Sequence, residues 1–170
     1  LNQAQGLKTD EIYPLLEDRQ GAVWIGTASD GLYRWQQSEL RHYEPGKHGV
    51  PESVSSLYED RAGRIWVNGA FRLDGERFVR VYDEIPNLVW AMYETADGAF
   101  WRGGSLGVDR FHNGVKTHFT TADGLANNRT TVLLEASDGG LWLGGSSSTA
   151  SLTNLTIADN WASSGSGLTR

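Results

Sequence analysis

Four glutamates and four tryptophans share one spacing and are the first candidates for chemistry. Each Glu stands seven residues before a Trp: Glu17/Trp24, Glu59/Trp66, Glu94/Trp101 and Glu135/Trp142. A carboxylate beside an aromatic ring could act as a catalytic acid. Such an acid is needed once, however, whereas this one recurs in every copy with a glycine four residues behind it, at Gly21, Gly63, Gly98 and Gly139. The repetition favours a structural reading. The Glu accepts hydrogen bonds from a turn, the Gly supplies positive φ, and the Trp fills the gap to a neighbouring element. The four histidines, His42, His48, His112 and His118, have no metal-ligand spacing, and there is no cysteine to supply a thiolate. No metal, no cofactor and no catalytic residue is therefore expected.

The elements that carry these residues recur every 35 to 42 positions, since the four glutamates lie 42, 35 and 41 residues apart. That period indicates a stacked or radial repeat. Within each copy the apolar pattern has a period of two, which predicts strands. A first strand ends at the Glu, as in Ile12–Leu16 and Val89–Tyr93. A turn bearing Asp and Gly follows, then a second strand holding the Trp, a third such as Gly31–Trp35, and a fourth ending in an aromatic, such as Leu40–Tyr43. Pro14 lacks a donor, so the first strand is expected to be short or irregular there. Four short antiparallel strands per unit of about 40 residues predict all-β β-propeller blades. The expected bounds are about 1–43, 44–82, 83–119 and 120–161, with 162–170 a flexible end. In the fourth unit either a long inter-strand loop or, preferred, a degenerate outer half is expected, with third and fourth strands near 151–155 and 157–161.

These repeats resemble the two-component regulator propeller repeat. The resemblance runs through Gly6-Leu7, Leu15 to Thr27, Gly31 to Trp35 and Tyr43, and again through Asp123-Gly124-Leu125, Asn127 and Glu135 to Gly145. It implies a sensor propeller of bacterial signal transduction, periplasmic or extracytoplasmic, that precedes a membrane helix and a histidine kinase or diguanylate cyclase. On that reading the chain is one segment of a larger propeller, with the remaining blades of the same protein or a second copy as partners. Ser137 to Trp142 also evokes the Asp-box of sialidases, but the Asp moves from six residues before Trp (Asp18, Asp60) to four (Asp97, Asp138). A streptogramin-lyase type of propeller is the other enzyme comparison, and no His/Glu constellation for it can be placed.

If the repeat is scaffold, function belongs where a copy departs from it. Arg102 occupies the position of Ile25, Val67 and Leu143, and Asn68 replaces a glycine. An Arg at an apolar position must reach water as an edge residue, face a ligand, or bridge blades. Trp90 aligns with Tyr13, Ser55 and Thr131 on the innermost strand, where an aromatic either stacks on a sugar ring or fills a gap. The loops entering the innermost strands carry Asp10, Ser53, Asn87, Asn128 and Arg129 and are expected on one face. Trp90, Arg102, Asn68, Arg129, Asn128, Asn87 and Tyr13 are thus the candidate ligand-binding residues, for a carbohydrate or another small ligand. An interaction propeller without a ligand and a carbohydrate-active or lyase enzyme are the alternatives.

Composition limits the partners. The chain of 170 residues is 39% apolar and 21% charged, with a net charge of -6 and no basic block. Nucleic acid is therefore not an expected partner. No apolar run approaches the roughly 18 residues needed to span a bilayer, so no membrane contact is expected from this segment.

Overall fold

The computed structural model describes residues 6–82, 88–137 and 140–145 in full, and the backbone of strands 153–158 and 161–164. The chain divides into two compact units, Leu1–Ile85 and Pro86–Arg170. In the first unit, β1 (Ile12–Glu17), β2 (Val23–Thr27), β3 (Leu32–Gln36) and β4 (Glu39–Tyr43) form one sheet, and β5 (Leu57–Glu59), β6 (Ile65–Val67), β7 (Phe71–Asp74) and β8 (Arg77–Arg80) form another. In the second unit, β9 (Val89–Glu94), β10 (Phe100–Gly104), β11 (Gly107–His112) and β12 (Val115–Phe119) are followed by β13 (Val132–Glu135), β14 (Leu141–Gly144), β15 (Thr153–Ala158) and β16 (Trp161–Ser164). Every sheet is a meander of antiparallel neighbours in chain order.

The hairpin between the first two strands of a sheet follows from local chemistry. In three copies the Gly is left-handed, with φ of 76° at Gly21, 77° at Gly63 and 80° at Gly98. Its amide closes the turn at 2.9 Å on the carbonyl of Asp18, Asp60 or Thr95. A side chain at this φ would be strained. Gly139 lies outside the described residues. Pro14 leaves its mark on β1, whose register against β2 shifts between Ile12 and Leu15.

Alternation along the strands then builds a core in each unit. Leu16 pairs with Trp24, so both project from one face of the first sheet. There they join Leu32, Tyr43, Val50, Val54, Ile65, Val67 and Phe78, residues drawn from both sheets and the link between them. In the second unit Trp101 and Val108 pack with Leu125, Leu133, Leu141 and Leu143. The residue just before the repeat Glu therefore faces the following sheet, as Leu16 does. The residue two before it faces the preceding sheet, as Leu133 does.

The fourth sheet corrects one expectation. Its outer half is a formed hairpin, with Leu155 opposite Ser164 and Ala158 opposite Trp161. The third strand runs on through Thr156 and Ile157, β-branched residues suited to a pleated strand, and displaces the last strand to Trp161–Ser164. Residues 146–152 and 165–170, including the rest of the expected flexible end, lie outside the described residues.

Candidate functional site

The repeated Glu-Trp segment forms two kinds of joint. Within the first sheet Asp18 Oδ2 accepts the Trp24 indole N–H at 2.7 Å, while Oδ1 accepts the amides of Gln20 and Ala22 at 2.9 Å. Asp60 repeats this with Trp66 Nε1 at 2.8 Å and the amides of Ala62 and Arg64, and its Oδ2 also takes Arg64 Nε at 2.6 Å. Burial of Asp60 opposes its charge, but the hydrogen bonds from Trp66 and Arg64 outweigh burial and hold the carboxyl below its usual range. In the third copy Thr95 takes over, its hydroxyl accepting from Trp101 Nε1 at 3.2 Å and donating to Asp97 Oδ1 at 2.5 Å. Asp97 receives the Ala99 amide there. This division of labour is why the Asp moves relative to the Trp.

The glutamates form the second joint, between sheets. Glu59 Oε2 accepts the Arg19 amide at 3.0 Å, and both oxygens of Glu135 accept the Ala96 amide at 3.0 Å. Each Glu thus holds the turn of the preceding sheet. Glu17 is exposed and has no partner among the described residues.

Two candidate ligand residues are engaged internally. Arg102 is 1% exposed, its Nε donates to Asp109 Oδ2 at 2.8 Å, and its guanidinium lies 4.8 Å from the Phe111 ring centroid. Asp109 Oδ1 is also 2.6 Å from His118 Nδ1 and 3.7 Å from Lys116 Nζ. Arg102 is opposite Asp109, and Asp109 is opposite His118, so the three form a row across β10, β11 and β12. Arg102 therefore neither reaches water nor faces a ligand, because a carboxylate in the same sheet neutralises it. Asp109 was legible in principle: it stands where the first copy has Tyr33, so two apolar positions turn charged together with opposite signs. Asn68, at φ 50°, is similarly occupied. Its Oδ1 accepts the amides of Ser55 and Ser56 at 2.8 and 3.2 Å, and its Nδ2 donates to Ser53 O at 2.8 Å. It ties the entry loop to β6.

The structure does bring Trp90 and Arg129 together. The Arg129 guanidinium lies 5.2 Å from the centroid of the half-buried Trp90 ring. The loop carrying it starts with a 3-10 turn at Thr121–Asp123, capped by Thr120 and Asp123 and ended by left-handed Gly124. Asn128 Oδ1 accepts the Thr121 amide at 2.7 Å, Asn127 Oδ1 accepts the Arg129 amide at 2.8 Å, and the Thr130 amide reaches Gly104 O at 2.9 Å. A Cβ on Gly145 would lie 2.0 Å from the Arg129 carbonyl oxygen, so glycine alone permits this approach. Leu125, Asn127, Arg129, Thr130, Leu143 and Gly145 line a shallow open cleft whose enclosed part has room for about one water molecule. Asn128 is thus a loop brace beside the cleft. Tyr13, 60% exposed, lies in the other unit, and Asn87 lies outside the described residues. Among the described residues no group of His, Cys, Asp and Glu could hold a metal ion.

Residues 6–29, 49–70 and 124–147 match the family model of the two component regulator propeller. The third copy, where Arg102 and Asp109 break the pattern, is outside the matched segments. Among solved structures the chain is similar to the extracellular domain assigned to a hybrid two component system of B. thetaiotaomicron, at 19% identity and a TM-score of 0.76 over 98% of this chain and 26% of that one. A second such domain from the same organism gives 17% identity and 0.68 over 86% and 24%. Virginiamycin B lyase from Staphylococcus aureus gives 17% and 0.62 over 91% and 59%. At these identities the likeness shows the fold, and the four sheets are propeller blades. The chain spans about a quarter of the length of the B. thetaiotaomicron domains. A comparison with curated protein sequences found no match.

Proposed function

We propose, on the premise that this chain is built from two-component regulator propeller repeats, that it is a ligand-sensing segment of an extracytoplasmic signal-transduction receptor. It binds a saccharide or other small molecule beside the innermost strands and does not transform it. The observation that carries this reading is the Trp90–Arg129 pair at the edge of a glycine-walled cleft, on a loop entering an innermost strand. Loops held on a rigid scaffold are where propellers and other folds place recognition. Trp90 also supplies the readout. Titrating the full chain with a panel of oligosaccharides is expected to change its tryptophan fluorescence, and Trp90→Phe to remove that change while the saccharide is recovered intact. Silence across the panel defeats the reading, and recovery of a cleaved or unsaturated saccharide supports the enzyme alternative.

A second reading rests on the apolar faces at the ends of the repeat series. Leu15 is 65% exposed on the first sheet and Leu134 is 56% exposed on the fourth. Their equivalents inside each unit, Leu133 and Leu16, pack on a neighbouring sheet. These faces suit another blade of the same repeat, and for the chain alone a second copy supplies it.

A further inference from the structure

We infer that the cleft beside Trp90 recognises an anionic group, a carboxylate or sulfate carried on a saccharide, through the Arg129 guanidinium. This deepens the ligand-sensing reading and rests on it. Arg129 is exposed, yet no carboxylate among the described residues pairs with it. Other arginines lying over aromatic rings hold carboxylates of their own: Arg41 has Glu76 at 3.3 Å, Arg110 has Asp97 at 3.1 Å and Arg102 has Asp109 at 2.8 Å. Arg34 over Trp24 and Arg72 over Trp66 also have no carboxylate partner among the described residues, but both are strand residues and do not line the cleft. The nearest carboxylate in the Arg129 loop's own sequence, Asp123, accepts instead from the Thr120 amide and hydroxyl at 2.9 and 3.0 Å.

Stacking on Trp90 decides how the guanidinium can act. One indole face is taken by the cation, so the ring is not a free platform for a sugar on that side. The N–H edges of a guanidinium lie in its plane, the geometry that meets a carboxylate or sulfate with two parallel hydrogen bonds. The backbone around it is fixed by Asn127, by the Thr130–Gly104 hydrogen bond and by the close approach of Gly145. Less conformational freedom is then lost on binding.

The test compares oligogalacturonides with neutral galacto-oligosaccharides of equal length, and sodium sulfate as the anion alone, in fluorescence titrations of the full chain. The acidic oligomer is expected to bind about tenfold or more tightly than the neutral one, as a charge-assisted hydrogen bond warrants, with affinity falling as salt rises. Arg129→Gln is expected to erase that preference, and Arg129→Lys to retain part of it. Thermal melting of both variants checks that they fold, which the exposed position favours. Equal affinity for both oligomers, or a preference that survives Arg129→Gln, overturns the inference and leaves the sensing reading standing. Binding of neither oligomer overturns both, and binding of sulfate alone without the acidic oligomer overturns the saccharide assignment.

Discussion

Arg102 and Asp109 show how a residue that breaks a repeat can be structural. Both are buried, and each is satisfied because the other lies directly opposite. Removing one partner strands a charge. Arg102→Met should destabilise the second unit by about 3–5 kcal/mol, and the double change Arg102→Met with Asp109→Leu should recover most of that. Urea denaturation of the parent chain and the two variants measures both steps. Asp60 makes a second prediction at this scale. Its carboxyl titrates below the usual range in the folded chain, so its contribution is present above the unfolded Asp value of about 3.9. That contribution is lost as pH falls through the lower folded value. Asp60→Asn should lower stability at neutral pH by about 1.5–3 kcal/mol, the worth of hydrogen bonds to a charged group. It should also flatten the dependence of stability on pH below about 4, read from denaturation midpoints.

Among the elements, the second strand of the first and third sheets places its Trp, Trp24 or Trp101, in the layer between the two sheets of its unit. Trp24 is 2% exposed and meets Phe78 edge-on at 6.4 Å, with Tyr43 at 5.5 Å. Trp142 holds the same place in the fourth sheet but is only half-buried. Trp24→Ala should therefore cost about 3–5 kcal/mol, and Trp142→Ala clearly less, in parallel denaturation curves. The glutamates act between elements rather than within one. Their fixed distance from the Trp is legible in the sequence, but which turn they hold is not, because Glu59 reaches an amide 40 residues earlier and Glu135 one 39 earlier.

For the molecule as a whole, the proposed association rests on exposed apolar residues of the first and fourth sheets. Leu15 with Tyr13 on the first sheet and Leu134 with Val132 on the fourth are exposed apolar side chains. Glu17 carries the acceptor with which Glu59 and Glu135 hold a preceding turn. Exposed sheet surfaces of this kind draw partners. The chain alone should measure above its 18.7 kDa in solution, and Leu15→Asp or Leu134→Asp should return it to that mass. Sedimentation or native mass measurement checks this, and a monomeric parent chain removes the second reading.

The amino-acid sequence by itself determined the blades. Strand period, turn glycines and the Glu-to-Trp spacing are local properties, fixed by which residues lie within about ten positions of one another. It also named Trp90 and Arg129 as candidates, without showing that they meet. What only the tertiary structure decided is what each departure does, because that depends on partners distant in the chain. Arg102 meets Asp109 across one strand pair, Asn68 turns back on Ser53 and Ser55, and Arg129 crosses 39 residues of sequence to lie on Trp90. Charge compensation removed Arg102 from the candidate site, and its lack among the described residues at Arg129 is what points that position toward a ligand.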